Sequence, residues 1–393
     1  MYRINRVSNL WRNKTSIALT SAAIIFVVNF TFLAFSIPTS QKSLIPLDPD
    51  VPVVDTIAPS GTGTPMICKE YGCPLYPPEL TTELHQVLSD VFVSQNSTKP
   101  LPIGMNTMAM LTQIGKSHTV NQDRALVISP FITKHTPSDS FLMAIFDGHG
   151  TQGHIVAEYV TQDFPERLYE KLNAAPENIS DDDVIRILND TFIETDIYAP
   201  PNALAGGCTG SVTLRRGSKL YFANAGDSQT ILVSVNSTGV SIPYMTRKDK
   251  ANLPDERARI EGLGGKIHLN PQGFDPRVVV YSRSQRDTIG LAMSRSIGDW
   301  DWKACGVTAE PIVDVIDLKD YPHSFVIAAS DGLWDTRKPQ FFANQFAQDV
   351  FSKGSVPPIQ RLWEVIAKVT PKNPNWYRDD ITAVVMKMEG LPS

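Results

Sequence analysis

Three aspartate motifs, each abutting an apolar run, constrain this chain more than any other feature: Phe146-Asp147-Gly148-His149-Gly150, Ser330-Asp331-Gly332-Leu333-Trp334-Asp335 and Asp379-Asp380-Ile381-Thr382. The apolar runs read as strands, so each motif presents carboxylates at a sheet edge, where hard cations collect. An Asp-Gly pair alone is ordinarily a turn, because glycine accepts positive φ and aspartate bonds nearby backbone. Turns have no need to recur in this order beside strands.

Strand-like runs fall at 141–146, 211–214, 220–223, 230–235, 325–329 and 381–386, mostly bounded by Gly, Asp or Asn. Helical patterns lie between them. Ile155, Tyr159 and Val160 precede Pro165; Val184, Leu188 and Phe192 follow a Ser180-x-x-Asp183 cap; and 255–262 opens after Pro254 and stops at Gly264-Gly265. Strands and helices without a regular β-α-β alternation favour an α+β fold.

At 393 residues and 42% hydrophobic content, the chain supports one domain of about 250 to 300 residues plus appendages. A net charge of −5 with no long single-sign run argues against nucleic acid as a partner. The four cysteines, Cys68, Cys73, Cys208 and Cys305, lack zinc-site or disulfide-scaffold spacing and read as ordinary thiols. No cysteine has arginine six residues on, and neither a phosphate-binding Gly-x-x-x-x-Gly-Lys-Ser/Thr loop nor a His-Glu-x-x-His helix is present.

Residues 16–37 carry no charge and are mostly apolar, long enough to span a bilayer. They read as a transmembrane signal anchor after a short basic segment, 1–15. Arg3, Arg6, Arg12 and Lys14 precede the span, while Asp48, Asp50 and Asp55 follow it. That asymmetry places the N-terminus in the cytosol and the rest luminal or extracellular; a cytosolic-face domain is the alternative. Sequons at Asn96, Asn178, Asn189 and Asn236 suit the luminal orientation. A proline-rich stretch, 38–102, reads as an extended linker with one short helix at 82–91, and 103–390 as the main folded domain.

The motifs together resemble the metal-dependent (PPM, type 2C) protein serine/threonine phosphatases. The matching segments are Asn121-Gln122-Asp123-Arg124, Asp147 to Gly150, Gly207-Cys208-Thr209, Asn224-Ala225-Gly226-Asp227-Ser228, Ser294 to Asp299, Ser330 to Asp335 and Asp379 to Thr382. The resemblance implies a sandwich of two antiparallel β-sheets flanked by helices, with two Mg²⁺ or Mn²⁺ ions at one end. Oxygen donors suit those ions, and no His/Cys cluster invites zinc. By resemblance Asp147 bridges the ions, Gly148 offers its carbonyl, Asp331 and Asp379 complete the first ion's protein ligands, and Asp123 lies near the second. Asp227 and Asp335 match a weaker third metal site.

The resemblance further implies direct attack on phosphoserine or phosphothreonine by a metal-activated water without a phosphoenzyme. His149 then acts as general acid, a role suited to a group titrating near neutrality. Phosphoproteins are the implied substrates, and the catalytic domain is expected to be monomeric. Where many relatives carry a glutamate this chain has Gln122, and where many carry a phosphate-holding arginine it has His118, with Lys116 nearby. Those departures support an alternative, a membrane-tethered pseudophosphatase that binds phosphoproteins without turnover. A luminal adhesion or scaffold protein is a second rival, but it gives no reason for the ordered aspartates. The bases Arg247, Lys248, Lys250, Arg257, Arg259 and Lys266 lie where the family has a flap; they either attract phosphorylated protein or form a solvated face.

Overall fold

The computed structural model describes residues 53–54, 91–93, 101–104, 108–116, 118–200, 206–269, 275–282, 286–350, 358–370 and 377–388. The expected anchor at 16–37 lies outside them. Among the described residues no helix is long and apolar enough to cross a membrane.

Two six-stranded antiparallel sheets form the body. The first runs, edge to edge, Ile312–Asp317, Lys219–Ala225, Gly210–Arg216, Phe141–Phe146, Arg124–Ile128 and Val91–Val93. The second runs Gly239–Met245, Gln229–Asn236, Ser324–Ala329, Ile381–Lys387, Met108–Gln113 and Leu101–Gly104. Side chains alternate between faces along a strand. Thus Phe141, Met143 and Ile145 join Val326, Ala328, Val384 and Met386 in the core between the sheets. Leu142, Ala144 and Phe146 instead pack under the helices Gly153–Ala174 and Asp181–Ile197. The helices Pro339–Val350 and Pro358–Val369 cover the outer face of the second sheet. Both faces of each sheet are therefore buried, which is why these antiparallel strands are continuous apolar runs in the sequence.

The six expected strands all form, most of them longer by one or two residues at an end. The helical pattern seen before Pro165 runs through that proline, from Gly153 to Ala174. Proline removes one backbone hydrogen bond and crowds the preceding turn; full burial of Phe164, Leu168 and Leu172 in the outer core offsets that loss. Ser180 and Asp183 form the expected reciprocal cap, Ser180 Oγ accepting from Asp183 N–H at 3.1 Å and Asp183 Oδ2 from Ser180 N–H at 2.8 Å.

The stretch read as a linker contributes regular structure. Val91–Val93 and Leu101–Gly104 extend the two sheets, and Val53–Val54 pairs in parallel with Arg277–Ser282. Proline density hid these strands, since each is only two to four residues long. Of the helix expected at 82–91 only Val91 is described, and it opens a strand.

A smaller antiparallel sheet, Lys266–His268, Arg277–Ser282 and Asp287–Leu291, packs with the helix Pro254–Gly262 around Ile260, Val278, Val280, Leu291 and Met293. Trp302 closes this core and donates through Nε1 to the Val278 carbonyl at 3.0 Å. Cys208 and Cys305 are buried free thiols.

Candidate metal centre

The register of the strands gathers the aspartates. Arg124 pairs with Phe146, so Asp123 and Asp147 flank neighbouring strand ends of the first sheet. Ala329 pairs with Ala383, which brings Asp331 beside the Asp379-Asp380 turn at the same end of the second. Ser330 Oγ donates to Asp123 Oδ2 at 2.7 Å and accepts from Thr382 N–H at 3.0 Å, joining the two sheets at this point. Gly332 lies so close to the turn that an added Cβ would stand 1.9 Å from the Asp380 carbonyl oxygen. Only glycine permits that approach.

Crowding of buried carboxylates dominates the electrostatics. Burial, then the Asp380 charge, pushes the Asp123 carboxyl up to about 7. Burial followed by Asp123 and Asp331 holds Asp147 well above the carboxylate range. Asp331 is raised likewise by burial, Asp227 and Asp379, and Asp379 chiefly by burial. Like charges disfavour one another's ionised forms, and a divalent cation among them reverses that balance. Asp227 adds a buried Oδ1 without a hydrogen-bond partner among the described residues. An all-oxygen donor set with an unsatisfied carboxylate oxygen fits a hard cation such as Mg²⁺ or Mn²⁺. At Gly148 an added Cβ would meet the Gln122 carbonyl oxygen at 2.6 Å, so no side chain can stand there.

Among the described residues the group with the tightest spacing is a different one. Ligand atoms of His118, Asp379 and Asp380 all lie within 4.8 Å of one another. Asp380 is already committed, however: its Oδ1 accepts from Gly115 N–H, its Oδ2 accepts from Gln122 N–H at 2.8 Å, and His118 Nδ1 lies 3.1 Å from Oδ2. We read it as a brace that sets the loop before Asp123 against the turn carrying Asp379. His118, the expected phosphate contact, is thus ion-paired, its charged form favoured by Asp380. Lys116 is exposed on the same loop. Gln122 Nε2 donates to the Gly150 carbonyl at 2.8 Å.

His149 Nε2 lies 2.6 Å from Asp299 Oδ2. Burial alone lowers the imidazole pKa, but the Asp299 charge and hydrogen bond outweigh it and raise it. Asp299 belonged to a matching motif without an assigned role; its separation from His149 by 150 residues left no local signal. The two carboxylates expected at a third metal each meet a lysine: Lys250 Nζ lies 2.8 Å from Asp227 Oδ2, and Lys248 Nζ 2.7 Å from the exposed Asp335. The flap bases are mostly absorbed in pairs of this kind. Arg247 and Arg259 converge with Arg295 on Glu256, and Arg257 pairs with Glu261.

Comparison with known proteins adds a sequence-level match. The family model for Protein phosphatase 2C matches residues 109–362. Probable protein phosphatase 2C 73 of Arabidopsis thaliana is 30% identical over 305 residues, covering 72% of this chain and 79% of the relative. Probable protein phosphatase 2C 41 of the same plant is 31% identical over 230 residues, 55% of this chain and 64% of the relative. In fold, the chain is similar to the serine-threonine phosphatase 2C from Toxoplasma gondii, with a TM-score of 0.62 at 18% identity, covering 74% of this chain and 99% of that one.

Proposed function

This chain belongs to the protein phosphatase 2C family of metal-dependent hydrolases acting on phosphoserine and phosphothreonine, and from that premise we propose that its own catalytic centre is binuclear and lies at the carboxylate cluster. The observation that carries the reading is the convergence of Asp123, Asp147, Asp331 and Asp379 from both sheets at one end of the sandwich. Asp147, Asp331, Asp379 and the Gly148 carbonyl would hold one ion, and Asp123 would lie by the second. When bound, such ions neutralise phosphoryl oxygens and activate water for attack. His149 donates a proton to the departing serine or threonine oxygen. Lys116 offers an exposed ammonium to the phosphate, while His118, ion-paired with Asp380, holds the loop that presents it. With the carboxylate set and His149 all retained, the binding-only alternative gains no support.

The test is phosphate release from a phosphoserine peptide by the purified full-length chain. We expect turnover with Mn²⁺, its loss on chelation and its return when Mn²⁺ is restored. Turnover that survives exhaustive chelation overturns the proposal.

We further propose the luminal orientation, with residues 16–37 as the tether. Three sequons on described residues allow a sharper prediction. Asn178 is exposed between two helices, and Asn236 is exposed at a hairpin turn, its Oδ1 accepting from Thr238 N–H at 2.9 Å. Asn189 lies inside the helix Asp181–Ile197, with its partner Thr191 fully buried. In native membranes, a glycosidase-sensitive mobility shift is expected to shrink in Asn178→Gln and Asn236→Gln but not in Asn189→Gln. No shift, with a protease-exposed C-terminus, places the domain on the cytosolic face.

A further inference from the structure

A small fourth sheet is built from Ile297–Gly298, Gly206–Cys208 and Gly148–Gly150, all antiparallel. Its central strand is glycine-rich, and its register sets His149 and Gly298 on either side of Gly207. An added Cβ at Gly207 would stand 2.3 Å from Asp299 Oδ2. The missing side chain is therefore the space that the Asp299 carboxylate occupies. Asp299 itself has φ +52° and follows Gly298 at φ +84°. Consecutive left-handed residues persist only where surroundings over-determine them, and they concentrate at functional sites.

The surroundings here are specific. Asp196, on the helix Asp181–Ile197, accepts from Gly298 N–H at 2.7 Å and pairs with Lys303 Nζ at 2.9 Å. Lys303 Nζ also donates to the Ser296 carbonyl at 2.7 Å, and Asp299 N–H donates to the Gly206 carbonyl at 3.2 Å. These buried contacts fix the loop from both ends. Its product is the 2.6 Å contact from Asp299 to His149 Nε2, which leaves His149 Nδ1 as a buried nitrogen without a hydrogen-bond partner among the described residues.

We infer that Asp299 is the positioning residue for the proton donor: it holds the His149 ring with Nε2–H turned toward itself, so that Nδ1 is the atom that delivers the proton to the leaving serine or threonine oxygen. The inference rests on the proposed phosphatase reading. In that step the attacking water oxygen forms the new P–O bond and the P–O bond to the side chain breaks. The Nδ1 proton passes to the released side-chain oxygen, and the proton lost from water returns through solvent to His149. A partner that fixes a catalytic histidine's tautomer acts through orientation as much as charge.

Leaving-group dependence tests this, because an alkoxide needs a proton on departure and a nitrophenolate does not. Kinetics of the full-length chain with Mn²⁺ would compare a phosphoserine peptide with p-nitrophenyl phosphate. For Asp299→Asn we expect kcat on the peptide to fall about 10²-fold or more, the scale of general acid catalysis, with only a few-fold fall on the aryl ester and KM unchanged on both. Gly207→Ala, which displaces the carboxylate without altering either partner, is expected to show the same split. Equal losses on both substrates, or none, overturn the inference. His149→Gln separates the levels: no split there fails the general-acid reading and this inference with it. A split there without one in Asp299→Asn overturns only the role of Asp299.

Discussion

Asp147→Asn is expected to lower phosphopeptide turnover on the order of 10³-fold and to weaken Mn²⁺ binding measured by calorimetry. On the proposed reading Asp147 would help to hold an ion, so a neutral amide there removes one of the charges that would bind it. The substitution leaves the backbone anchored. Asp147 N–H donates to Thr209 Oγ1 at 3.1 Å, and its carbonyl accepts from Thr209 N–H at 2.9 Å. Without metal the variant is expected to melt no lower than wild type. A carboxyl whose folded pKa lies above its unfolded value costs stability once the pH exceeds both, and burial with Asp123 and Asp331 raises that of Asp147. The site thus trades stability for cation affinity. Undiminished turnover, or lost turnover with full Mn²⁺ binding, would sink the metal-holding role of Asp147.

The carboxylates were legible in the sequence because each sits within two residues of a strand end, where an apolar run marks its place. Strand order was not legible, yet it decides which strand ends meet. Nothing local announces that Ser330 will bond Asp123 across 207 residues, or that Asp299 will reach His149 across 150. The same limit applies to the flap. Arg247 and Arg259 read in the sequence as part of a basic or solvated face, whereas in the fold they and Arg295 surround one buried glutamate. Its nearest cue, Glu256 three residues before Arg259, resembles any exposed helical ion pair. Only burial separates the two cases, and burial belongs to the tertiary fold. Pro165 sits inside a helix for a related reason, since the outer core outweighs a local breaker.

Glu256→Gln is expected to destabilise the domain by about 3 to 5 kcal/mol at neutral pH, the usual cost of breaking a buried ionic network from one side. Glu256 is fully buried. Its Oε1 accepts from Arg247 Nη2 at 2.6 Å and from Arg295 Nε and Nη2 at 3.0 and 2.8 Å, and its Oε2 accepts from Arg259 Nη2 at 2.6 Å. Glutamine keeps the shape but leaves the guanidiniums without their shared anion. Burial alone would raise the Glu256 pKa, but hydrogen bonds from Arg259 and Arg295 outweigh it and bring it to about 2. A depressed folded pKa means the contribution is fully present above the unfolded value, about 4.5, and is lost as pH falls through about 2. The stability gap between wild type and Glu256→Gln is therefore expected to be constant from pH 7 to about 5 and to narrow below that. Urea unfolding of both proteins from pH 7 to 3 measures it. A gap below about 1 kcal/mol, within the range of exposed ion pairs, or one unchanged at pH 3, would show that Glu256 contributes through packing. The network also ties the flap helix to Arg295, four residues before Asp299. Weakening it is expected to loosen the loop that holds His149, so activity should decline at temperatures below the global unfolding transition.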